Sequence, residues 1–253
     1  MKRELEEARK IARKIGRSVE IPKFYREKMR EVERSRRLFS SSPLVKECLT
    51  LVREREGGIG HGIGHVRKVA IDAGAISFIE SCNVRPMREV RRIVLLAHVA
   101  GVLHDIRRLE KDHARVSAEE AGKLLAFFNL SAHEIAAITG AIGNHEAFRT
   151  ADPLEDPLAR FLSDTLYDAD KFRWGPDNFT EMLWDMVDYR KVSLDTVITR
   201  FLKGMEGIER IRNTFRTRTG KMYGPDFIDR GIEIGTKLYE TMVKKRKPIS
   251  HSH

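Results

Sequence analysis

Residues 87–108 read MREVRRIVLLAHVAGVLHDIRR, and this stretch decides how the chain folds. No Asp, Glu, Lys or Arg interrupts it from Ile93 to Leu103. Val90, Ile93, Val94, Ala97, Val99 and Val102 cover more than one face of a helix expected over about 87–105. A helix that is apolar all round belongs at the centre of a bundle, not on its surface. It ends on His104-Asp105. An ionised aspartate at the end of a buried helix is costly unless it is paired or bound to a metal.

Helices flank this one on both sides. Ser42-Pro43 has the form of a helix start, followed by the apolar stripe Leu44, Cys48, Leu51 and Val52. A helix over about 64–81 places Val66, Val69, Ala70, Ala73 and Ile76 on one face. Further helices are expected near 117–128, 131–144 and 157–171, then over 193–215 and 226–244. No segment alternates apolar and polar residues with a period of two, and no hairpin signal joins β-branched runs. The fold class read from these patterns is all-α.

The chain has 253 residues, of which 41% are apolar, enough for a sizeable core. Charged residues make up 33%, and the net charge is +10. Most of the surplus lies in residues 1–38, with fourteen Lys or Arg against seven Glu. This segment reads as two charged helices, about 2–15 and 24–37, broken near Gly16 and Pro22. Glu6 and Lys10 have the spacing of a helical ion pair. The expected organisation is a charged helical appendage over 1–40, a helical core over 41–175, and C-terminal helices over 176–253 packing on that core. A second reading makes the first segment a basic arm that attracts nucleic acid. Its only aromatics are Phe24 and Tyr25, which does not favour base stacking.

No apolar run approaches the roughly 18 residues of a membrane span. The N-terminus MKRELEEARK is too charged for a secretory signal, and two cysteines cannot build a disulfide framework. The expected location is the cytoplasm, with no membrane partner. Oligomeric state is not legible in the sequence.

Several motifs fail. GGIGHGIGH at 57–65 matches neither dinucleotide-binding nor phosphate-loop spacing, and reads as a hinge or entry loop with His61 at its rim. His133-Glu134 and His145-Glu146 begin like HExxH but lack the second histidine. No GxSxG elbow exists.

What remains is a series of histidines and aspartates in the middle of the chain: His65, the doublet His104-Asp105, His113, His145, and Asp168 with Asp170. Imidazoles and carboxylates together suit Mn, Fe, Co, Ni, Zn or Mg. His98, seven residues before Asp105, reads as a packing residue.

The order H…HD…D, with the doublet in GVLHDI, resembles the HD superfamily of metal-dependent phosphohydrolases over about residues 60–175. The resemblance implies an HD-domain-like helical bundle with additional N- and C-terminal helices. It implies His65, His104, Asp105 and Asp170 as ligands of a divalent ion. Asp170 is preferred to Asp168, because the family's last aspartate usually sits in an Ala-Asp pair, here Ala169-Asp170. His113 and His145 fall where two-metal members place further ligands, although Asn144 stands where some members have another histidine. Arg108 stands where many members carry a lysine, and a phosphate-contacting role is implied for it, with Asp105 at the catalytic centre. The activity implied is hydrolysis of a nucleotide or other phosphate ester by a metal-activated water. The alternative is a nucleic-acid-associated or regulatory protein that keeps the pocket as scaffold. Trp174, Trp184 and Tyr189 are candidates for lining the substrate pocket.

Overall fold

The computed structural model describes residues 2–55 and 62–246. His61, most of the glycine cluster and the tail from 247 onward therefore lie outside the described residues. Among the described residues there are α-helices, one π turn and one 3₁₀ turn, and no strand. The helices in order are α1 (Lys2–Ser18), α2 (Lys23–Glu27), α3 (Met29–Ser41), α4 (Pro43–Arg55), α5 (Ile63–Ser81) and α6 (Met87–Leu103). They continue with α7 (His113–Leu125), α8 (Ala132–Gly143), α9 (Pro157–Phe172), α10 (Leu183–Tyr189), α11 (Leu194–Glu209) and α12 (Arg218–Arg246). The π turn, Asn178–Met182, leads into α10, and the 3₁₀ turn, Arg210–Asn213, follows α11.

The centre is the pair α5 and α6. Every residue from Leu96 to Leu103 on α6 and from Asp72 to Phe78 on α5 is buried. The two helices cross closely at Gly101, where a Cβ would stand 2.5 Å from the Ala70 Cα. Any side chain there would force the helices apart next to His104. α8 and α9 are fixed at their starts by local chemistry. Ser131 and Glu134 form a reciprocal capping box on α8, and Asp156 accepts the Ala159 N–H ahead of Pro157 on α9.

One hydrophobic cluster runs from Leu5 on α1 to Met242 on α12. The N-terminal segment contributes fully: Leu5, Ala8, Ala12 and Phe24 are buried. The Phe24 ring lies 5.2 Å from that of Phe172 and 5.6 Å from that of Tyr223. Its arginines pair across elements. Arg9 reaches Glu181 at 2.9 Å and Asp185 at 2.8 Å, and Arg13 reaches Glu181 at 2.9 Å. Gly16 does not break α1. It lets the helix cross the π turn, where a Cβ would meet Thr180 Cγ2 at 2.6 Å.

A buried ion network also pins this segment. Arg173 donates to Asp72 Oδ2 and to Asp177 Oδ2, each at 2.5 Å, and to the Tyr25 hydroxyl. The Tyr25 hydroxyl donates to Asp72 at 2.6 Å, and Lys68 donates to Asp177 at 2.9 Å. α2, α5 and the end of α9 are thereby tied together.

Other boundaries differ from the expected ones for identifiable reasons. α7 starts at His113 rather than near 117, because Asp112 adopts a left-handed φ of 64° and turns the chain into the helix. α12 starts eight residues earlier than expected and carries Pro225 inside it. Proline there gives up one backbone hydrogen bond, but Tyr223, Phe227 and Ile228 around it are buried. No described helix is long and apolar enough to cross a membrane.

Candidate metal centre

The His and Asp series comes together at one end of the bundle because each member sits at or near a helix terminus. His65 lies in the first turn of α5, and His104 caps the end of α6 with Asp105 in the turn that follows. His113 opens α7, His145 follows the end of α8, and Asp170 lies in the last turn of α9. The starts of α5 and α7 and the ends of α6, α8 and α9 therefore meet at this end of the bundle.

The inward-facing atoms form two overlapping groups. In the first, His65 Nε2 lies 3.3 Å from His104 Nε2 and 3.4 Å from Asp170 Oδ1. His104 Nε2 lies 3.4 Å from Asp105 Oδ2 and 3.7 Å from Asp170 Oδ1. In the second, the other oxygen of the same aspartate, Asp105 Oδ1, lies 3.4 Å from His145 Nε2 and 3.6 Å from His113 Nε2. Asp105 thus presents one oxygen to each group. His65, His104 and Asp170, and separately His104, Asp105 and His145, offer atoms close enough together to share one ion. Ligands held tetrahedrally about 2.0–2.1 Å from one cation stand about 3.3–3.4 Å apart. The observed spacings cluster near that value and exceed those of good hydrogen bonds.

The outer edges of these side chains are fixed. His104 Nδ1 donates to the Gly101 carbonyl at 2.8 Å and His145 Nδ1 to the Ile142 carbonyl at 2.6 Å. A carbonyl only accepts, so each Nδ1 is the donor and each Nε2 faces inward, where it can hold a proton or ligate a metal ion. His145 Nε2 is buried without a hydrogen-bond partner. His113 Nδ1 meets Glu146 Oε1 at 2.7 Å, so Glu146 fixes that ring in turn. Lys171 Nζ donates to Asp170 Oδ2 at 2.5 Å and to the His145 carbonyl at 2.9 Å.

The electrostatics match a centre that draws positive charge. Burial alone would push His104 down, but Asp105 and Asp170 outweigh it and lift the imidazole to about 10. Burial would raise Asp105, yet His104 and Arg108 hold it well below the usual carboxylate range. Asp170 is likewise held low against burial, by Lys171, His104 and His65. Two buried carboxylates facing lone-pair nitrogens need a cation between them, whether a proton or a metal ion. The donor set fits a divalent ion of the imidazole-and-carboxylate class.

All six sequence-predicted ligand positions, His65, His104, Asp105, His113, His145 and Asp170, therefore meet in this cluster. Arg108 meets it from outside, with its NH1 3.2 Å from Asp105 Oδ2 and 3.4 Å from His113 Nε2. Asp168 points elsewhere. It accepts the backbone N–H groups of Arg216 and Thr217 at 2.8 Å and the Thr217 hydroxyl at 2.7 Å, anchoring the start of α12. His98 is buried against Phe39, with Nε2 2.8 Å from the Ser35 hydroxyl. The Asn144 side chain closes its own loop, bonding the backbone of Asp152 at 2.8 and 2.9 Å. Of the three aromatics considered for the pocket, Trp174 lies beside Lys171, with 5.7 Å from ring to Nζ. Trp184 is buried and donates to the Phe179 carbonyl, and Tyr189 is half exposed at the end of α10.

Sequence reasoning missed Glu146 as a partner of His113. The signal was the acidic residue directly after His145, but its partner is 33 positions away and only the fold reveals it.

No family model matches the chain, and no curated protein matches it. Among solved structures, the chain is similar to a protein from an uncultured Thermotogales bacterium described as a predicted HD superfamily hydrolase. The similarity amounts to 24% sequence identity and a TM-score of 0.48, covering 81% of this chain and 97% of that one.

Proposed function

We propose that this chain is a metal-dependent phosphohydrolase of the HD type, acting on a nucleotide or another small phosphate ester. The observation that carries the reading is Asp105, whose two carboxylate oxygens face two different sets of histidine Nε2 atoms. His65, His104, Asp105 and Asp170 would hold one divalent ion, and Asp105, His113 and His145 a second. Such an ion supplies Lewis acidity and lowers the pKa of a bound water toward about 7.

The chain's own residues do the rest. The Nδ1 bonds to Gly101 and Ile142 fix ring orientation and leave no rotation to freeze out on binding. Access is one-sided. The side chains of His65, His104, Asp105, His145 and Asp170 are 0–7% exposed, against 19% for His113 and 41% for Arg108. The substrate would thus approach past Arg108, whose guanidinium offers paired donors to a phosphoryl group. Asp105 and Arg108 are the residues placed closest to the reacting group in this reading.

The test is a panel of phosphomonoester and phosphodiester substrates, run with and without added Mn²⁺, on the wild type and on Asp105→Ala. Hydrolysis that depends on Mn²⁺ and disappears in the variant supports the proposal. Equal metal-stimulated activity in Asp105→Ala refutes it.

A further inference from the structure

We propose that Lys171 is a positioning residue of the metal centre. It would hold Asp170 to a single inward-facing oxygen and lock the two halves of the cluster together. This inference rests on the metal-centre reading above.

The side chains of adjacent residues on a helix point about 100° apart and do not normally meet. Lys171 nevertheless curls back on Asp170, with Nζ 2.5 Å from Oδ2. Two aromatics line its route: Tyr167, four residues before it on α9, and Trp174, in the turn that follows the helix. The Nζ lies 5.0 Å and 5.7 Å from their rings. Cation–π attraction compensates part of the ammonium's lost hydration.

The result is a buried lysine, its side chain 3% exposed, whose acid partner is the candidate ligand Asp170. With Oδ2 engaged, Asp170 Oδ1 alone turns toward His65 and His104. A second bond from Nζ goes to the carbonyl of His145, whose ring serves the other half of the cluster. One ammonium therefore fixes a carboxylate of the first group and the backbone of a histidine in the second. Positioning partners of this sort typically change metal affinity by about 10–100-fold. The opposing effect is simple repulsion: a fixed positive charge near a cation weakens binding, so its removal would tighten it. Orientation and repulsion thus predict opposite signs.

The experiment is calorimetric titration of chelator-stripped protein with Mn²⁺, beside thermal unfolding of the same metal-free samples. Lys171→Met is expected to bind Mn²⁺ about 10–100-fold more weakly than wild type while still unfolding cooperatively at the titration temperature and above. Lys171→Arg, which keeps the charge and the reach, should recover most of the affinity. Lys171→Gln carries the same expectation of weaker binding and serves where the Met variant does not fold. Unchanged or tighter binding in a folded Met or Gln variant overturns the proposal, and tighter binding would make Lys171 a repelling charge only. Absence of Mn²⁺ binding to the wild type would instead overturn the metal-centre reading itself.

Discussion

α5 and α9 take part in two buried charged clusters, and the two are built on opposite terms. Toward one side, Asp72 of α5 meets Arg173 at the end of α9, with Tyr25 and Asp177, and the half-exposed Lys68 of α5 reaches Asp177. Toward the other, His65 of α5 meets Asp170 of α9, with His104 and Asp105. In the first cluster the chain supplies its own cations, and the quoted contacts between opposite partners are 2.5–2.9 Å. In the second, Lys171 and Arg108 take the outer positions, and the inward-facing atoms stand 3.3–3.8 Å apart. The first is a closed ion network that fastens helices. The second has longer spacings, compatible with an ion shared between its atoms. Burial and charge alone do not separate a structural network from a metal centre; the identity of the inward-facing atoms and their distances do.

The largest expected difference comes from breaking each cluster once. Asp105→Ala removes the carboxylate whose two oxygens face the two groups of histidines. Mn²⁺ affinity should fall by at least about 100-fold, beyond the loss of an outer partner, while circular dichroism still shows a folded helical protein. Arg173→Met should do the reverse. It strands Asp72 in the interior, so urea unfolding should show a loss of about 3–5 kcal/mol, with Mn²⁺ titration close to wild type. If Arg173→Met abolished metal binding at full stability, the two clusters would not be separate devices.

The half-sites sharpen the contrast further. His145→Asn removes a proposed ligand from the second group only, and elemental analysis should then find one ion per chain where two are expected for the wild type. Glu146→Gln leaves His113 in place but weakens the bond that orients it, so the second ion should bind about 10-fold more weakly.

Much of this was legible in the chain, and what was not has a physical cause. The uncharged run Ile93–Leu103 correctly marked α6 as the central helix, because a side chain with a formal charge could not be hidden there. The six clustered positions were readable through the resemblance of the order H…HD…D to the HD superfamily; the spacing of these residues along the chain does not by itself show that they converge. Gly16 misled, since glycine reads as a break while its use here is close approach to Thr180. The N-terminal segment read as a charged appendage, and its contacts with the core were not legible because its charge hides a narrow stripe of Leu5, Ala8 and Ala12 and the acids that answer Arg9 and Arg13 lie beyond residue 180. Lys171 stands next to Asp170 in the sequence, but its bond to the His145 carbonyl, like the contact of Glu146 with His113, joins residues far apart in the chain, which local spacing does not encode.

The smallest expected effect compares two histidines on one helix. His104, between two aspartates, is lifted to about 10, whereas His98, with only burial acting on it, is pushed down to about 3. A histidine whose folded pKa lies below its unfolded value stabilises the fold above the unfolded pKa, near 6.5. That stability is lost as pH falls from there toward about 3. In His98→Asn, unfolding followed from pH 7 to pH 4 should therefore depend less steeply on pH than in the wild type. An identical slope would mean that His98 charges without strain.

The most direct test of the central claim is elemental analysis of the purified wild type beside Asp105→Ala, followed by Mn²⁺ titration of both after chelation. The account predicts two divalent ions per wild-type chain, restored on titration, and none held by the variant. A wild type that binds no more metal than Asp105→Ala would contradict it, leaving these histidines and aspartates as a second ion network of the ordinary kind.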